Sequence, residues 1–338
     1  MGRHTGKPLE VNHVTKRFLL LFLALVLSGC SSNGDPDRTK IELLLDWKAQ
    51  MEHAGFFVAI SEGYYRSEGL SVEILDGSGA PTTAQLVGNG TYVLGVSSGS
   101  ATVMARSKGI PVVSLAVINQ HSPVVVYSLA ASGIKQPRDL VGKRVGVNIG
   151  GTKHREFQAL LRHLGISEDN IQMMGMTESS PAPLLAGQVD AMLGYTEDQP
   201  VTVELRGEEV NRILLADHGI DLYSTNIIGN ESFVQSNEDL VRRFIRASLR
   251  GWQKAVENPD LAVRAYVAAR PESDVSFNRA NFQKLLPILD SPDVRASGIG
   301  AQSADRWTTT SKVLLDLQMI ENAPDIDALF TTRFQLKP

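Results

Sequence analysis

IELLLDWKAQMEHAGFFVAISEGYYRSEGLSVEIL, residues 41–75, carries the reading of the fold. Ile41–Leu45 is a short apolar run of strand length. Asp46–His53 turns polar and reads as the loop at that strand's carboxyl end. Ala54–Ile60 starts a helix, Gly63–Gly69 is rich in turn residues, and Ser71–Leu75 reads as a second strand. Parallel strands need a crossover of a dozen or more residues, usually helical, and this spacing supplies one.

The alternation continues outward. Pro81–Val87 suggests a helix, Tyr92–Val96 a strand, Ala101–Ser107 a helix and Pro111–Ile118 a strand. A second series then begins, with strands expected at Val124–Leu129, Lys143–Val147, Ile171–Met174, Val189–Leu193 and Asn211–Leu215. Helices are expected at Glu156–Leu164, Ala182–Leu185 and over 197–206. Thr225–Phe233 returns to strand composition. Beyond it the chain is chiefly helical, over Glu238–Glu257, Pro259–Ala269, Phe277–Leu289 and Ala304–Ile320. Strands alternating with helices imply mostly parallel sheets covered on both faces. The expected class is α/β and bilobed, with lobe 1 formed by 41–121 and 225–338 and lobe 2 by 122–224. The helical tail would return to complete lobe 1. In open α/β sheets ligands bind outside the carboxyl ends of the strands, so two such sheets facing each other make a cleft.

Upstream, FLLLFLALVLSGC (18–30) follows Arg3, Lys7, Lys16 and Arg17. A positive start, a short apolar core and small residues before the cut form an export signal. The ten apolar residues Phe18–Leu27 fall well short of the roughly 20 that span a bilayer. Cys30, the chain's single cysteine, makes the segment resemble a bacterial lipoprotein signal, which implies lipid on that thiol and anchoring at the cell envelope. Residues 1–29 would be removed, and 30–40 would tether the fold. Without 1–29 the chain keeps 309 of its 338 residues, with 29 basic against 36 acidic side chains. A formal net charge of −7 gives no reason to expect nucleic acid. With Cys30 blocked no disulfide forms, and a monomer held by packing is expected.

LLLDWKAQMEHAGFFVAISEGYYRSEGLSVEIL (43–75), GVSSGSATVMARSKGIPVVSLAVINQHSP (95–123), GIKQPRDLVGKRVGV (133–147) and VRRFIRASLRGWQKAVENPDLAV (241–263) together resemble the thiamine-pyrimidine-synthase-like group of ABC-importer solute-binding proteins. The resemblance spans nearly the whole mature chain. It implies a type II periplasmic-binding-protein-like fold, an ABC permease as partner, and a thiamine pyrimidine precursor as ligand. Gly194–Pro200 is similar to the acidic-proline tract of riboflavin-type binders, and riboflavin is the alternative ligand. Nitrate and alkylsulfonate binders are more distant relatives.

Candidate ligand-binding residues sit at the expected strand ends. Trp47 can stack on a heteroaromatic ring, or fill the core beneath its loop. Asp46 can touch ligand or cap the following turn. His53 can bond a ring nitrogen or carbonyl, or hold a backbone group, while Glu52 complements the helix dipole. Ser97, Ser98, Gly99 and Ser100 can hold a carbonyl or anion, or serve as an N-cap. Asn148, Gly150, Gly151 and Thr152 form the equivalent turn in the second series. Gln120, His121 and Asn226 fall at the crossovers between lobes. Tyr195 can stack or donate its hydroxyl. Glu197 and Asp198 can pair with an exocyclic amine or favour a helix start.

Enzyme motifs are sparse. Gly95-Val96-Ser97-Ser98-Gly99 has the Gly-x-Ser-x-Gly spacing, but no His-Glu-x-x-His or nucleotide fingerprint occurs. His154 and His163 share no helix face, and the cysteine-rich motif of the related pyrimidine synthases is absent. A non-enzymatic binder without a cofactor is expected. An exported heterocycle-processing enzyme on the same lobes, or a sensor lipoprotein, would be the competing classes.

Overall fold

The computed structural model describes residues 1–3, 38–177 and 180–336. Cys30, most of the export signal and most of the tether lie outside the described residues. No helix among them is long and apolar enough to cross a membrane.

From Thr39 onward the chain builds two five-stranded sheets. The first contains β1 (Thr39–Leu44), β2 (Leu70–Leu75), β3 (Leu94–Ser98), β4 (Val112–Val117) and β10 (Thr225–Asn230), in the order β2-β1-β3-β10-β4. The second contains β5 (Val124–Leu129), β6 (Arg144–Val147), β7 (Gln172–Gly175), β8 (Ala191–Tyr195) and β9 (Val210–Leu214), in the order β7-β6-β8-β5-β9. β10 runs antiparallel to both its neighbours, and so does β5. The other strands of each sheet run together. The reversed strand is in each case the first one reached after the chain passes from the other sheet. Both sheets therefore aim the carboxyl ends of their forward strands, and the start of their reversed strand, at one gap.

The helices that matter to that gap are α1 (Ala54–Ser61), α2 (Ala80–Gly88), α3 (Gly99–Ser107), α4 (Thr152–His163), α5 (Gln199–Glu204), α6 (Glu238–Glu257), α7 (Val275–Leu289) and α8 (Ala304–Asp316). α4 starts four residues before the expected Glu156. Gly150 takes a left-handed turn at φ 78° and Gly151 leads directly into the helix. That early start places Lys153 and Glu156 three residues apart on one helical face. The expected strand Thr225–Phe233 stops at Asn230, whose side chain accepts the Phe233 amide and caps a new helix, Glu231–Ser236.

Two crossovers join the sheets, and they bond to each other. Ile118 and Asn119 donate amides to the Thr225 carbonyl, and Ser224 donates to that of Asn119. The tail, which the sequence reading has completing lobe 1, also reaches the second crossover and the core of the second sheet. Trp307 of α8 packs edge-on against Tyr223 of the second crossover at 5.0 Å. Leu317, just past α8, joins the core of the second sheet with Phe157 and Leu160.

On the outer face of the first sheet α1 packs closely on α6. Gly55 faces the buried Trp252 ring, where an added Cβ would lie 2.2 Å from Cδ2. Gly251 faces back, its Cβ position 2.3 Å from the Gly55 carbonyl oxygen. Neither wall can yield without moving a helix. Gly55→Ala is expected to cost about 1–3 kcal/mol through overpacking, read as a lowered midpoint in urea unfolding. An unchanged midpoint would mean that the helices separate freely.

Candidate functional site

The gap between the sheets holds a cavity of about 490 Å³. Its walls come from both sheets and from the crossovers. Asp46 and Trp47 follow β1, Ser98 ends β3 and Ser100 opens α3, while Thr152, Lys153 and Glu156 come from α4. Tyr195 ends β8, Glu197 and Asp198 follow it, and Gln199 opens α5.

Trp47 is set by the loop after β2. Gly77 and Gly79 donate amides to the carbonyls of Trp47 and Asp46, at 3.0 and 2.7 Å. Gly77 must be glycine for that approach, since a Cβ there would lie 1.9 Å from the Leu45 oxygen. The backbone is thus fixed while the indole stays 49% exposed. It is a wall of the cavity and not core filler.

The site is acidic. Asp46, Glu52, Glu156, Glu197 and Asp198 line it, and Lys153 is the single cation among the described lining residues. Burial pushes the Glu197 carboxyl up to about 8, helped by the Glu52 and Asp198 charges and opposed by Lys153. Glu197 Oε2 is buried and has no hydrogen-bond partner among the described residues. Burial likewise lifts Glu52 and Glu156 to about 7. For Glu156 the hydrogen bond from Ser122 Oγ, at 3.1 Å, works the other way. Burial also lowers Lys153 against the pull of Asp198, Glu197, Glu52 and Glu156. Its Nζ lies 4.2 Å from the centre of the Tyr195 ring, a cation–π contact that fixes the phenol's face.

These shifts carry a stability signature. Below the unfolded value near 4.5, Glu156 is protonated in both states and costs nothing. As pH rises toward about 7 the unfolded chain ionises while the buried carboxyl keeps its proton, so folding is progressively disfavoured. Glu156→Gln removes this term. Its melting temperature relative to wild type should climb between pH about 4.5 and about 7. A difference that stays constant with pH would contradict the assignment.

The structure sorts the expected residues. Trp47, Ser98, Thr152, Tyr195, Glu197 and Asp198 meet at the cavity. Asn148 and Gly151 line an adjoining compartment. Ser98 also caps α3, accepting the Ala101 amide. The other placements are corrected. His53 is fully buried behind the wall, with Nε2 2.8 Å from Asp46 Oδ1 and Nδ1 accepting the Gln50 amide. It braces the Asp46 loop. Ser97 is buried and donates to the Ala80 carbonyl. Asn226 is buried in β10, bonded to Thr102 and Ser114. Gln120 donates to the Gly298 carbonyl. His121 stands between Asp221 and Asp293, at 2.7 and 2.8 Å, in the crossover region. Gly150 is exposed and only turns the chain.

Lys153, Glu156, Ser122 and the Gly79–Pro81 loop were missed as site residues. Glu52, read as a helix-dipole residue, also lines the cavity. The Thr152-Lys153-x-x-Glu156 spacing was a legible signal once the helix start is moved to Thr152. Asp46, Glu52 and His53 bring three ligand atoms within 4.8 Å and are the described group with the composition to hold a cation. His53 is already engaged by Asp46 and by the Gln50 amide, which fits a structural brace.

The NMT1/THI5 like family matches residues 50–262. The riboflavin-binding protein RibY of Chloroflexus aurantiacus is 27% identical over 316 residues, covering 89% of this chain and 88% of that one. A formylaminopyrimidine-binding protein of Halalkalibacterium halodurans is 28% identical, covering 85% and 89%. The 4-amino-5-hydroxymethyl-2-methylpyrimidine phosphate synthase THI5 of Saccharomyces cerevisiae is 25% identical, covering 75% and 77%. Among solved structures, the periplasmic aliphatic sulphonate binding protein SsuA of Escherichia coli superposes with a TM-score of 0.68 at 15% identity, covering 85% and 96%, a likeness of fold.

Proposed function

The chain belongs to the NMT1/THI5 like family, and from that premise we propose that it is the extracytoplasmic solute-binding component of an ABC importer, capturing an aminopyrimidine related to the thiamine precursor. It would be held at the cell envelope by lipid on Cys30 and deliver its ligand to a permease. The relatives named for binding formylaminopyrimidine and riboflavin support the class of ligand.

One observation carries the reading: a cavity with an indole and a phenol on its walls takes carboxyl groups from both sheets. A planar ring stacked on Trp47 would present its amine and ring nitrogen to the carboxyl edge. A carboxylic acid that keeps its proton can donate to the ring nitrogen and accept from the amine at once. Contacts to both sheets would favour the closed arrangement over the open one. A rim ion pair already spans the gap, between Lys284 of α7 and Glu204 of α5 at 3.2 Å. A sulfonate or nitrate would meet carboxyl groups from both sheets, with Lys153 the single cation among the described lining residues, and is disfavoured.

Riboflavin is the second reading, and the cavity's size favours it. About 490 Å³ lies within the range of roughly 300–1,000 Å³ typical of pockets for drug-sized ligands, and exceeds what one ring fills.

Equilibrium dialysis followed by chromatography of the released ligand separates capture from conversion. The expected result is one ring per protein, recovered unchanged. A modified product would make the protein an enzyme. No retention of either heterocycle would dismiss the proposal.

A further inference from the structure

The main cavity has a further polar wall, which comes from the helical tail. Asn281 of α7 lines it. On the same helix Phe282, Leu285 and Leu289 are buried in the core of the first sheet. α7 also lies against the Met51–His53 turn after β1 and against α5 after β8. It is thus a wall that the two halves share. Lys284, three residues on and so on the same helical face, pairs with Glu204 of α5 at 3.2 Å. Arg212 holds the same carboxylate oxygen at 2.6 Å. The helix is therefore tied across the gap without use of the Asn281 amide.

Asn278 and Asn281 stand one turn apart, and each is 5% exposed. Asn278 donates from Nδ2 to Ser273 Oγ at 3.0 Å. Asn281 Oδ1 is buried with no hydrogen-bond partner among the described residues, and Nδ2 bonds to none of them either. Turning the amide about its last side-chain bond exchanges the two atoms and leaves one unpaired in either sense. Buried polar groups are nearly always paired, so an unpaired one on the wall of a cavity is a group kept for what enters.

The same criterion singles out one other wall residue. Of the buried side-chain atoms unpartnered among the described residues, those of Asn281 and Glu197 are the ones on the cavity wall. One comes from the tail helix and the other from the loop after β8.

We propose that Asn281 and Glu197 divide one primary amine of the ligand between them, Asn281 Oδ1 accepting one of its hydrogens and the Glu197 carboxyl the other. The inference rests on the ring-binding reading and selects within it. A primary amine on an aromatic ring lies in the ring plane and points its two hydrogens apart. With Glu197 on the ring-nitrogen side, the second hydrogen is left for the amide. Contacts to α7 and to the β8 loop then add to the ion pair that already spans the gap. The imide edge of a flavin carries a single N–H and leaves one of the two acceptors unpaired, at a cost in affinity. The amide thus favours an aminoheterocycle over a flavin.

Calorimetry with 4-amino-5-hydroxymethyl-2-methylpyrimidine and with the same ring lacking its amine closes a cycle with Asn281→Leu. Loss of the amine should weaken binding to wild type about a hundredfold, at about tenfold for each hydrogen bond. Binding to Asn281→Leu should weaken only about tenfold, because one of the two bonds is already gone. The variant should itself bind the aminopyrimidine about tenfold more weakly than wild type. Its melting temperature without ligand should stay at or above wild type, since an unpaired buried amide has been replaced by an apolar side chain of similar size. Asn281→Ala repeats the cycle with no side chain to repack and should show the same reduced amine penalty. Equal amine penalties in wild type and both variants would overturn the assignment while the ring reading stands. A lowered melting temperature with unchanged affinity would make Asn281 a structural group and overturn it too. Riboflavin bound where the aminopyrimidine is not would do the same. Should neither heterocycle bind, the ring reading itself falls, and the amine assignment with it.

Discussion

Trp47→Ala should weaken ligand binding about tenfold to a hundredfold without lowering the melting temperature. Stacking of a heterocycle on an aromatic side chain is worth roughly 1–3 kcal/mol, and each 1.4 kcal/mol is a factor of ten. The indole is 49% exposed, so its loss leaves no cavity in the core. Its backbone is held by the Gly77 and Gly79 amides, not by the side chain. Trp47→Phe should keep most of the affinity, because a smaller π-face remains. Calorimetry with thermal melts on the same samples reads both quantities. An unchanged dissociation constant for Trp47→Ala would remove this residue from the site. A lowered melting temperature would turn it back into core filler.

Glu197 should show a chemical signature that depends on which isostere replaces it. Burial keeps its carboxyl protonated up to about pH 8, so near pH 7 it is an acid with one donor and one acceptor. Glutamine matches that pattern and leucine does not. Glu197→Gln is expected within a few-fold of wild type at neutral pH. Glu197→Leu should lose about tenfold to a hundredfold, the roughly 1–3 kcal/mol cost of leaving a buried polar group unpaired. The sign of the pH effect follows. As pH rises through about 8 the wild-type carboxyl ionises, the donor to the ring nitrogen disappears, and affinity falls. The Gln variant has no proton to lose there and should stay flat. Parallel pH profiles for the two would show that Glu197 does not read the ring edge.

How much of this was legible from residues alone depended on where each residue got its partners. β1 and the Asp46-Trp47 step at its carboxyl end are local features and appear where they are read, with β1 beginning at Thr39 and the end of the polar loop, Met51–His53, coiled into a 3-10 turn. The same holds for Ser98 as a helix cap and Tyr195 at a strand end. Both sheets are mostly parallel, as two restarting α/β series imply, while the one reversed strand in each is a tertiary feature that the strand pattern does not carry. Ser97, Asn226 and Gln120 misled for a common reason. Each is polar at a strand end or crossover, and each is satisfied by a distant group: Ala80, Thr102 with Ser114, and Gly298. Such pairing is tertiary and leaves no mark in local spacing. Lys153 and Glu156 were hidden by a four-residue error in a helix start, where a Gly-Gly turn passes straight into α4. Helix ends are set by capping and tertiary fit, and periodicity locates them only loosely.

On the proposed reading a ring is captured by an acidic, aromatic-walled cleft which refuses anions. The decisive experiment is calorimetric titration of the purified protein with an aminopyrimidine, riboflavin and an alkylsulfonate. One-to-one binding of a heterocycle at micromolar or tighter concentrations, with no heat from the sulfonate, is expected. Saturable binding of the sulfonate, with neither heterocycle bound below about millimolar, would contradict it.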